Sequence, residues 1–232
     1  MPHPFAFFLA NGWERTALNQ LRTSGAAISL YIHCYDYPVT DSVSKHLPRD
    51  LSTVFLDRDG VLNEKMPEGS YVTSWNSFHV RPRVPEAIAR LNRAGLRVIV
   101  VSNQRGIALG LYAAEDVEAI HLAFQQLLSD HGAHIDAFFL CPHDHGQCNC
   151  RKPLPGLFEQ AVAQFPTISA ATSVMIGDSP VDIEFGRRLG ITTILIDSNS
   201  EHAAPGTESA RESADLHFPS LSEAVNALLV RS

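Results

Sequence analysis

Asp57 and Asp59 stand two residues apart in Val54-Phe-Leu-Asp-Arg-Asp-Gly-Val-Leu-Asn63, at the end of a short apolar run and just before a glycine that permits a sharp turn. Both carboxylates can then approach one pocket. A carboxylate is a weak nucleophile toward carbon at neutral pH, but toward a phosphoryl group whose charge is neutralised it can form an aspartyl phosphate. That chemistry needs a hard cation. Asp178, in Met175-Ile-Gly-Asp-Ser-Pro-Val-Asp182, supplies a further oxygen ligand of the kind Mg2+ takes. Asp182 lies one helical turn after Asp178, so it can face the same pocket, where it orients neighbours rather than binding the metal directly. An isolated Asp-x-Asp is most often a solvated surface pair; the position of this one, between an apolar run and Gly-Val-Leu-Asn, marks it as a site.

Two anions must meet in such a reaction, and at about 4 Å their repulsion amounts to several kcal/mol at an intermediate dielectric. Mg2+ and the ammonium of Lys152 offset it. Preorganised positive charge of this kind is usually the largest catalytic contribution, so loss of Lys152 should lower the rate by roughly 10² to 10³. Lys152 follows Arg151 and the loop Cys141-Pro-His-Asp-His-Gly-Gln-Cys-Asn-Cys150, which gathers three soft thiolates and an imidazole, the donor set of a closed structural Zn2+ site. Either His143 or His145 can supply the fourth ligand. Cys150 abuts both cations, so a metal clamp on it would fix the backbone that carries them without touching the chemistry.

The elements that must position these groups are legible from apolar patterning. Short buried strands are expected over 52–56, 96–101, 137–140, 173–176 and 191–196, with helices over 84–94, 113–130, 155–165 and 180–189. Glycines 95, 132 and 190 stop three of the helices, and a capping box of Ser220 and Glu223 starts a last helix running to about Val230. Alternating strands and helices make a doubly wound parallel sheet of the α/β class, with ligands at the carboxyl ends of its strands. Asp57, Ser102, Cys141 and Asp178 all fall at that edge. The polar stretch 198–213 reads as a surface loop, and residues 1–50, interrupted by Pro2, Pro4, Pro38 and Pro48, read as a poorly ordered or non-functional extension, with one short helix conceivable over 14–21. The working domain is then 51–232, with no room for a large cap domain.

The 232 residues are 45% apolar and carry a net charge of −7, without a basic patch dense enough to read a nucleic-acid backbone. The apolar stretch 5–10 is too short for a membrane span or a signal-peptide core. A cytoplasmic monomer acting on a small molecule is expected, with neither nucleic acid nor membrane as partner.

Asp57-Arg-Asp-Gly-Val, Ser102-Asn-Gln-Arg-Gly, Arg151-Lys-Pro and Gly177-Asp178 with Asp182, in that order and each at a strand end, resemble the four motifs of the haloacid dehalogenase (HAD) superfamily phosphatases. Within it, the chain is most similar to the D-glycero-D-manno-heptose 1,7-bisphosphate phosphatases, whose relatives include the histidinol-phosphate phosphatases. The resemblance, over 51 to about 197, implies a Rossmann-like fold and a Mg2+-dependent phosphomonoester hydrolase acting on a small phosphorylated sugar. It implies Asp57 as nucleophile and metal ligand, and Asp59 as general acid and base whose backbone carbonyl helps hold Mg2+. Ser102 and Lys152 would hold phosphoryl oxygens, Asp178 would complete the Mg2+ site, and Cys141, His143, Cys148 and Cys150 would hold Zn2+. Asn103, Arg105 and Arg151 are candidate substrate contacts, with surface salt bridges the alternative for both arginines. The family pattern often has Lys at the position of Ser179 and Gly at that of Arg83. Histidinol phosphate, a 3′-phosphorylated nucleic-acid end, or a non-catalytic role for the sheet and zinc loop are the rival readings; the acidic chain disfavours the second, and the presence of Asp57, Asp59, Lys152 and Asp178 the third.

Overall fold

The computed structural model describes residues 46–197 and 206–230. Six strands form one sheet: β1 (Thr53–Leu56), β2 (Arg97–Asn103), β3 (Ala137–Cys141), β4 (Ser173–Gly177), β5 (Thr192–Ile196) and β6 (Leu216–Phe218). Their order is β3-β2-β1-β4-β5-β6 and every pairing is parallel. Six α-helices complete the described fold: α1 (Val84–Arg93), α2 (Ala114–Asp130), α3 (Gly156–Gln164), α4 (Pro180–Leu189), α5 (Thr207–Ser213) and α6 (Leu221–Leu229). This is the doubly wound arrangement that the apolar patterning implies.

Strand alternation divides the core in two. Val54 and Leu56 of β1, Val98 and Val100 of β2, and Val174 and Ile176 of β4 pack on one face with Ile88, Leu91, Ile120, Phe124, Val225 and Leu228. Phe55, Ile99, Val101 and Met175 point to the other face and meet Leu157, Ala161 and Phe185. Because both faces are covered, the strands read as continuous apolar runs rather than alternating ones. The chain lays down β2 and β3 on one side of β1, and β4, β5 and β6 on the other. The strand order therefore reverses between β1 and β4, and a crevice opens at their carboxyl ends.

Several expectations need correction. Within the supposed loop 198–213, residues 207–213 form α5, and a sixth strand follows it; β6 is only three residues long and pairs with β5 alone. Of the segment 1–50, the conceivable helix over 14–21 lies outside the described residues, but Leu47 is buried in the core, and the Thr192 hydroxyl donates to the carbonyl of His46 at 3.1 Å. The packed domain thus starts before Leu51. Ser102 is the last residue but one of β2 and Cys141 the last of β3, rather than residues beyond them. At α6, Ser220 Oγ accepts the Glu223 N–H at 3.3 Å and donates to the Glu223 carboxylate at 2.8 Å, as a capping pair should. Arg83, where the related pattern has glycine, caps α1 at φ 62, a left-handed conformation that a side chain disfavours.

His121, on α2, is buried and stacks on Phe138 with ring centroids 4.2 Å apart, while its Nε2 has no hydrogen-bond partner among the described residues. Burial, reinforced by the charge of Arg58 and opposed by Asp59, pulls its pKa down to about 4. The folded state therefore favours neutral imidazole, and this contribution is complete above the unfolded value of about 6.5 and is lost as pH falls from there toward 4. Relative to His121→Phe, the wild-type protein should lose about 2 kcal/mol of stability between about pH 7.5 and pH 5. Denaturant unfolding of both proteins at the two pH values measures this difference; equal losses would show that His121 is not the sensitive group.

Candidate active site

Asp57 leaves the end of β1, where its N–H donates to the carbonyl of Ile176 in β4 at 2.9 Å, so both central strands fix its backbone. Its Oδ1 lies 2.7 Å from Nζ of Lys152. The same ammonium donates to Asp182 Oδ1 at 2.6 Å and to the Val101 carbonyl at 2.8 Å. All three N–H donors are thus matched to acceptors, in a side chain only 2% exposed. Burial opposes charge on Lys152, but Asp182 and Asp57 outweigh it and hold the amine protonated, with its pKa pushed up. Burial lifts Asp57 to about 7; Lys152 pulls it down, while Asp182, Asp178 and Asp59 push it further up.

Asp178 follows β4 and its Oδ2 is 2.6 Å from Nζ of Lys65. Burial raises Asp178 to about 6, with Lys65 pulling against it and Asp182 adding to it. Oxygens of Asp57, Asp178 and Asp182 all lie within 4.8 Å of one another, a hard donor set suited to a small divalent cation. Two glycines allow this convergence. Gly60 sits at φ +96, and a Cβ there would stand 2.2 Å from Asp178 Oδ2; a Cβ on Gly177 would stand 2.1 Å from that of Asp182. Arg81, which sequence reasoning passed over, donates to the Gly60 carbonyl and so pins the turn.

Asp59 faces a different set of partners. Its carboxylate accepts from Arg58 Nε at 3.1 Å, Arg58 Nη2 at 3.0 Å, Asn63 Nδ2 at 2.9 Å and Gln104 Nε2 at 3.1 Å. Burial would raise its pKa, but the charge of Arg58 and the hydrogen bonds from Arg58, Asn63 and Gln104 prevail and lower it. Gln104 is itself oriented, because the Tyr112 hydroxyl donates to its Oε1 at 2.7 Å, leaving its Nε2 to donate to Asp59 and to Ser102 Oγ at 2.8 Å. The Asp59 side chain is therefore not among the converging metal-type carboxylates, so any part it takes in a metal site falls to its backbone.

A family model described as HAD-hyrolase-like matches residues 149–224. A D-glycero-alpha-D-manno-heptose-1,7-bisphosphate 7-phosphatase of Mycobacterium tuberculosis is 39% identical over 137 residues, covering 59% of this chain and 72% of that protein. A D-glycero-beta-D-manno-heptose-1,7-bisphosphate 7-phosphatase of Pseudomonas aeruginosa is 35% identical over 147 residues, covering 62% of this chain and 80% of its own length. Among solved structures, a D,D-heptose 1,7-bisphosphate phosphatase from B. bronchiseptica, complexed with magnesium and phosphate, superposes with a TM-score of 0.68 at 29% identity, covering 77% of this chain and 98% of that one. The chain belongs to the HAD superfamily of phosphatases.

In this HAD phosphatase the remaining sequence candidates fall into two groups. Asn103 does not present a free amide. Its Nδ2 donates to the Lys152 carbonyl at 3.1 Å and its Oδ1 accepts the Lys152 N–H at 2.9 Å, which turns an expected substrate contact into a clamp on the lysine backbone. Arg105 pairs with Asp144 at 2.6 Å across to the cysteine loop, whereas Arg151 keeps a buried Nη1 without a partner among the described residues. In the loop, Sγ atoms of Cys141 and Cys148 lie 3.5 Å apart, those of Cys148 and Cys150 3.3 Å apart, and His143 Nδ1 is 3.4 Å from Cys150 and 3.8 Å from Cys141. These separations are close to the edges of a tetrahedron, which span about 3.8 Å around a metal with 2.3 Å thiolate bonds. The cluster can hold a metal ion, with His143 and not His145 as its nitrogen ligand. Among the described residues, no helix is long and apolar enough to cross a membrane.

Lys65, Arg58, Asn63, Gln104 and Tyr112 are site residues that sequence reasoning did not single out. Arg58 and Asn63 lie inside the first motif and could have been weighed there; Lys65 and Tyr112 carry no local signal.

Lys152→Met should remove the counter-charge of two buried carboxylates. In Mg2+-free buffer it is expected to destabilise the fold by roughly 3 to 5 kcal/mol, the usual penalty of breaking a buried ion pair from one side. Denaturant unfolding of wild type and variant tests this, and a change below about 1 kcal/mol would show that Asp57 and Asp182 are compensated by other means.

Proposed function

We propose that the protein is a Mg2+-dependent D-glycero-D-manno-heptose-1,7-bisphosphate 7-phosphatase that works through an aspartyl phosphate on Asp57. The observation that carries this reading is the buried ammonium of Lys152 between Asp57 and Asp182, with Asp178 alongside, in a chain whose relatives bear that name. Asp57 and Asp178, with the Asp59 carbonyl, would hold Mg2+, which supplies positive charge against the phosphoryl oxygens when bound. A carboxylate oxygen of Asp57 attacks phosphorus, the bond from phosphorus to the sugar oxygen breaks, and Asp59, in the form that has first taken a proton from solvent, delivers it to that oxygen. Asp59 then removes a proton from the water that attacks the acyl phosphate, so that phosphate leaves and the Asp57 carboxylate is restored. Ser102 acts on a non-bridging oxygen, and Lys152 does so by turning its Asp57 donor to the phosphoryl group as Asp57 attacks, which it can do only while Asn103 and the cysteine loop hold its backbone.

The cysteine loop, on this reading, binds Zn2+ through Cys141, His143, Cys148 and Cys150, and four protein ligands leave no open position for water or substrate. Zinc then acts through the geometry of Arg151 and Lys152. Arg151, which forms no ion pair among the described residues, is the better candidate for the second phosphate or a sugar hydroxyl; Arg105 is committed to Asp144.

Two experiments test the proposal. Phosphate release should be measured on both anomers of heptose 1,7-bisphosphate, fructose 1,6-bisphosphate and histidinol phosphate. A heptose anomer should be the best substrate, and Asp57→Asn should abolish its turnover with the circular dichroism spectrum unchanged. Preference for histidinol phosphate would overturn the substrate, and residual activity above a few per cent would overturn the nucleophile. For the loop, elemental analysis should find about one zinc per chain, and Cys148→Ser should lower zinc content and turnover together while Mg2+ is still required. Full activity in a zinc-free protein would remove the loop from control of Lys152.

A further inference from the structure

Two lysines serve the same acidic cluster, and their settings differ. Lys152 is closed in, with its side chain 2% exposed and its ammonium on three acceptors. Lys65 makes one contact among the described residues, to Asp178 Oδ2 at 2.6 Å, and its side chain is 23% exposed, so its stem has a way back to solvent. It comes from the irregular segment after the first motif, not from a helix or strand that would fix it. A lysine is a compact charge on a flexible four-carbon stem, so leaving an acceptor requires only side-chain rotation.

Resting on the reading of Asp57 and Asp178 as Mg2+ ligands, we propose that Lys65 is a tethered counter-cation that competes with Mg2+ for Asp178 and is displaced when the metal binds. Mg2+ sits about 2.1 Å from its oxygen ligands. An ammonium 2.6 Å from the same carboxylate would then lie within a few ångström of a divalent cation, with only the shared carboxylate between them. Each cation therefore weakens the other's hold on Asp178. Without metal, Lys65 neutralises a carboxylate that would otherwise repel Asp57 and Asp182 in a buried space; with metal, that service is no longer needed. The lysine therefore stabilises the metal-free protein at the expense of metal affinity.

The test reads metal binding rather than turnover. Protein freed of Mg2+ but retaining its thiolate-bound metal is titrated with Mn2+, and free Mn2+ is counted by electron paramagnetic resonance, for wild type, Lys65→Met, Lys65→Gln and Lys65→Arg. Removing the competing charge should tighten Mn2+ binding on the order of ten-fold in the Met and Gln variants, whereas Lys65→Arg should stay near wild type. The metal-free Met and Gln variants should also melt at lower temperature than wild type and recover the difference at saturating Mg2+. Unchanged or weaker Mn2+ binding in both neutral variants would overturn the proposal. Asp178→Asn separates the two levels of the argument. If it binds Mn2+ as wild type does, the metal-site reading itself fails; if it abolishes binding while Lys65→Met and Lys65→Gln leave binding unchanged, the competition alone is wrong.

Discussion

The site is organised around one buried cation. The Lys152 ammonium joins the end of β1 through Asp57, the end of β2 through the Val101 carbonyl, and the first turn of α4 through Asp182. Each of those acceptors would be costly to bury alone, and the ammonium would be costlier still. Together they are tolerable because three donors meet three acceptors at hydrogen-bond distance. An arginine could not replace it: a planar fork with five donors would leave some unmatched in this space. The arrangement sets a tolerance for everything else, since a shift of Lys152 by an ångström leaves two carboxylates uncompensated.

That tolerance explains the density of supports around a residue that belongs to a loop. Asn103 holds both polar groups of the Lys152 backbone, and Cys150 anchors the chain two residues earlier. On the carboxylate side, the sheet does the same work. β1 and β4 are direct neighbours at the point where strand order reverses, so Asp57 and Asp178 leave adjacent strands at the same level, and Gly60 and Gly177 remove the two Cβ atoms that would keep the carboxylates apart. The two-faced core beneath is what keeps β1 and β4 in register.

Legibility in the sequence followed the range of the causes. Buried strands such as Val98 to Val101 and helices stopped by glycine announced themselves locally, and their limits fall within about two residues of where dihedral and hydrogen-bond patterns change. The strand β6 did not, because Leu216-His217-Phe218 is too short to show a period and takes its structure from pairing with β5. Asp57 and Asp178 were legible because each follows a strand in a recognisable motif, and Lys152 because it stands in Arg151-Lys-Pro directly after the cysteine loop. The tasks of Asn103, Gln104 and Lys65 were not, since they depend on partners 49, 45 and 113 residues away. An asparagine beside a motif serine looks like a ligand contact from its neighbours alone; only the folded chain shows its amide already engaged.

The cysteine loop raises a physical question of its own, namely what else could fix Lys152. Between the buried Cys141 and Cys150, every residue of the loop is exposed or half-exposed, and among them are a proline, a glycine, an aspartate and two histidines. Such a segment buries too little apolar surface to offset the entropy of ordering it. A neighbouring hydrophobic cluster holds its ends through Cys141, Cys150 and the half-buried Cys148 but includes none of residues 142–147. Metal coordination by four side chains can order so short a polar loop, because each bond is strong and directional where apolar contacts are weak and diffuse. Three thiols brought within 3.3 to 3.5 Å of their neighbours without forming a disulfide are what that solution looks like. The chain thus uses packing to position the carboxylates, which leave from strands, and, on the proposed reading of the loop, ligation to position the cation, which does not.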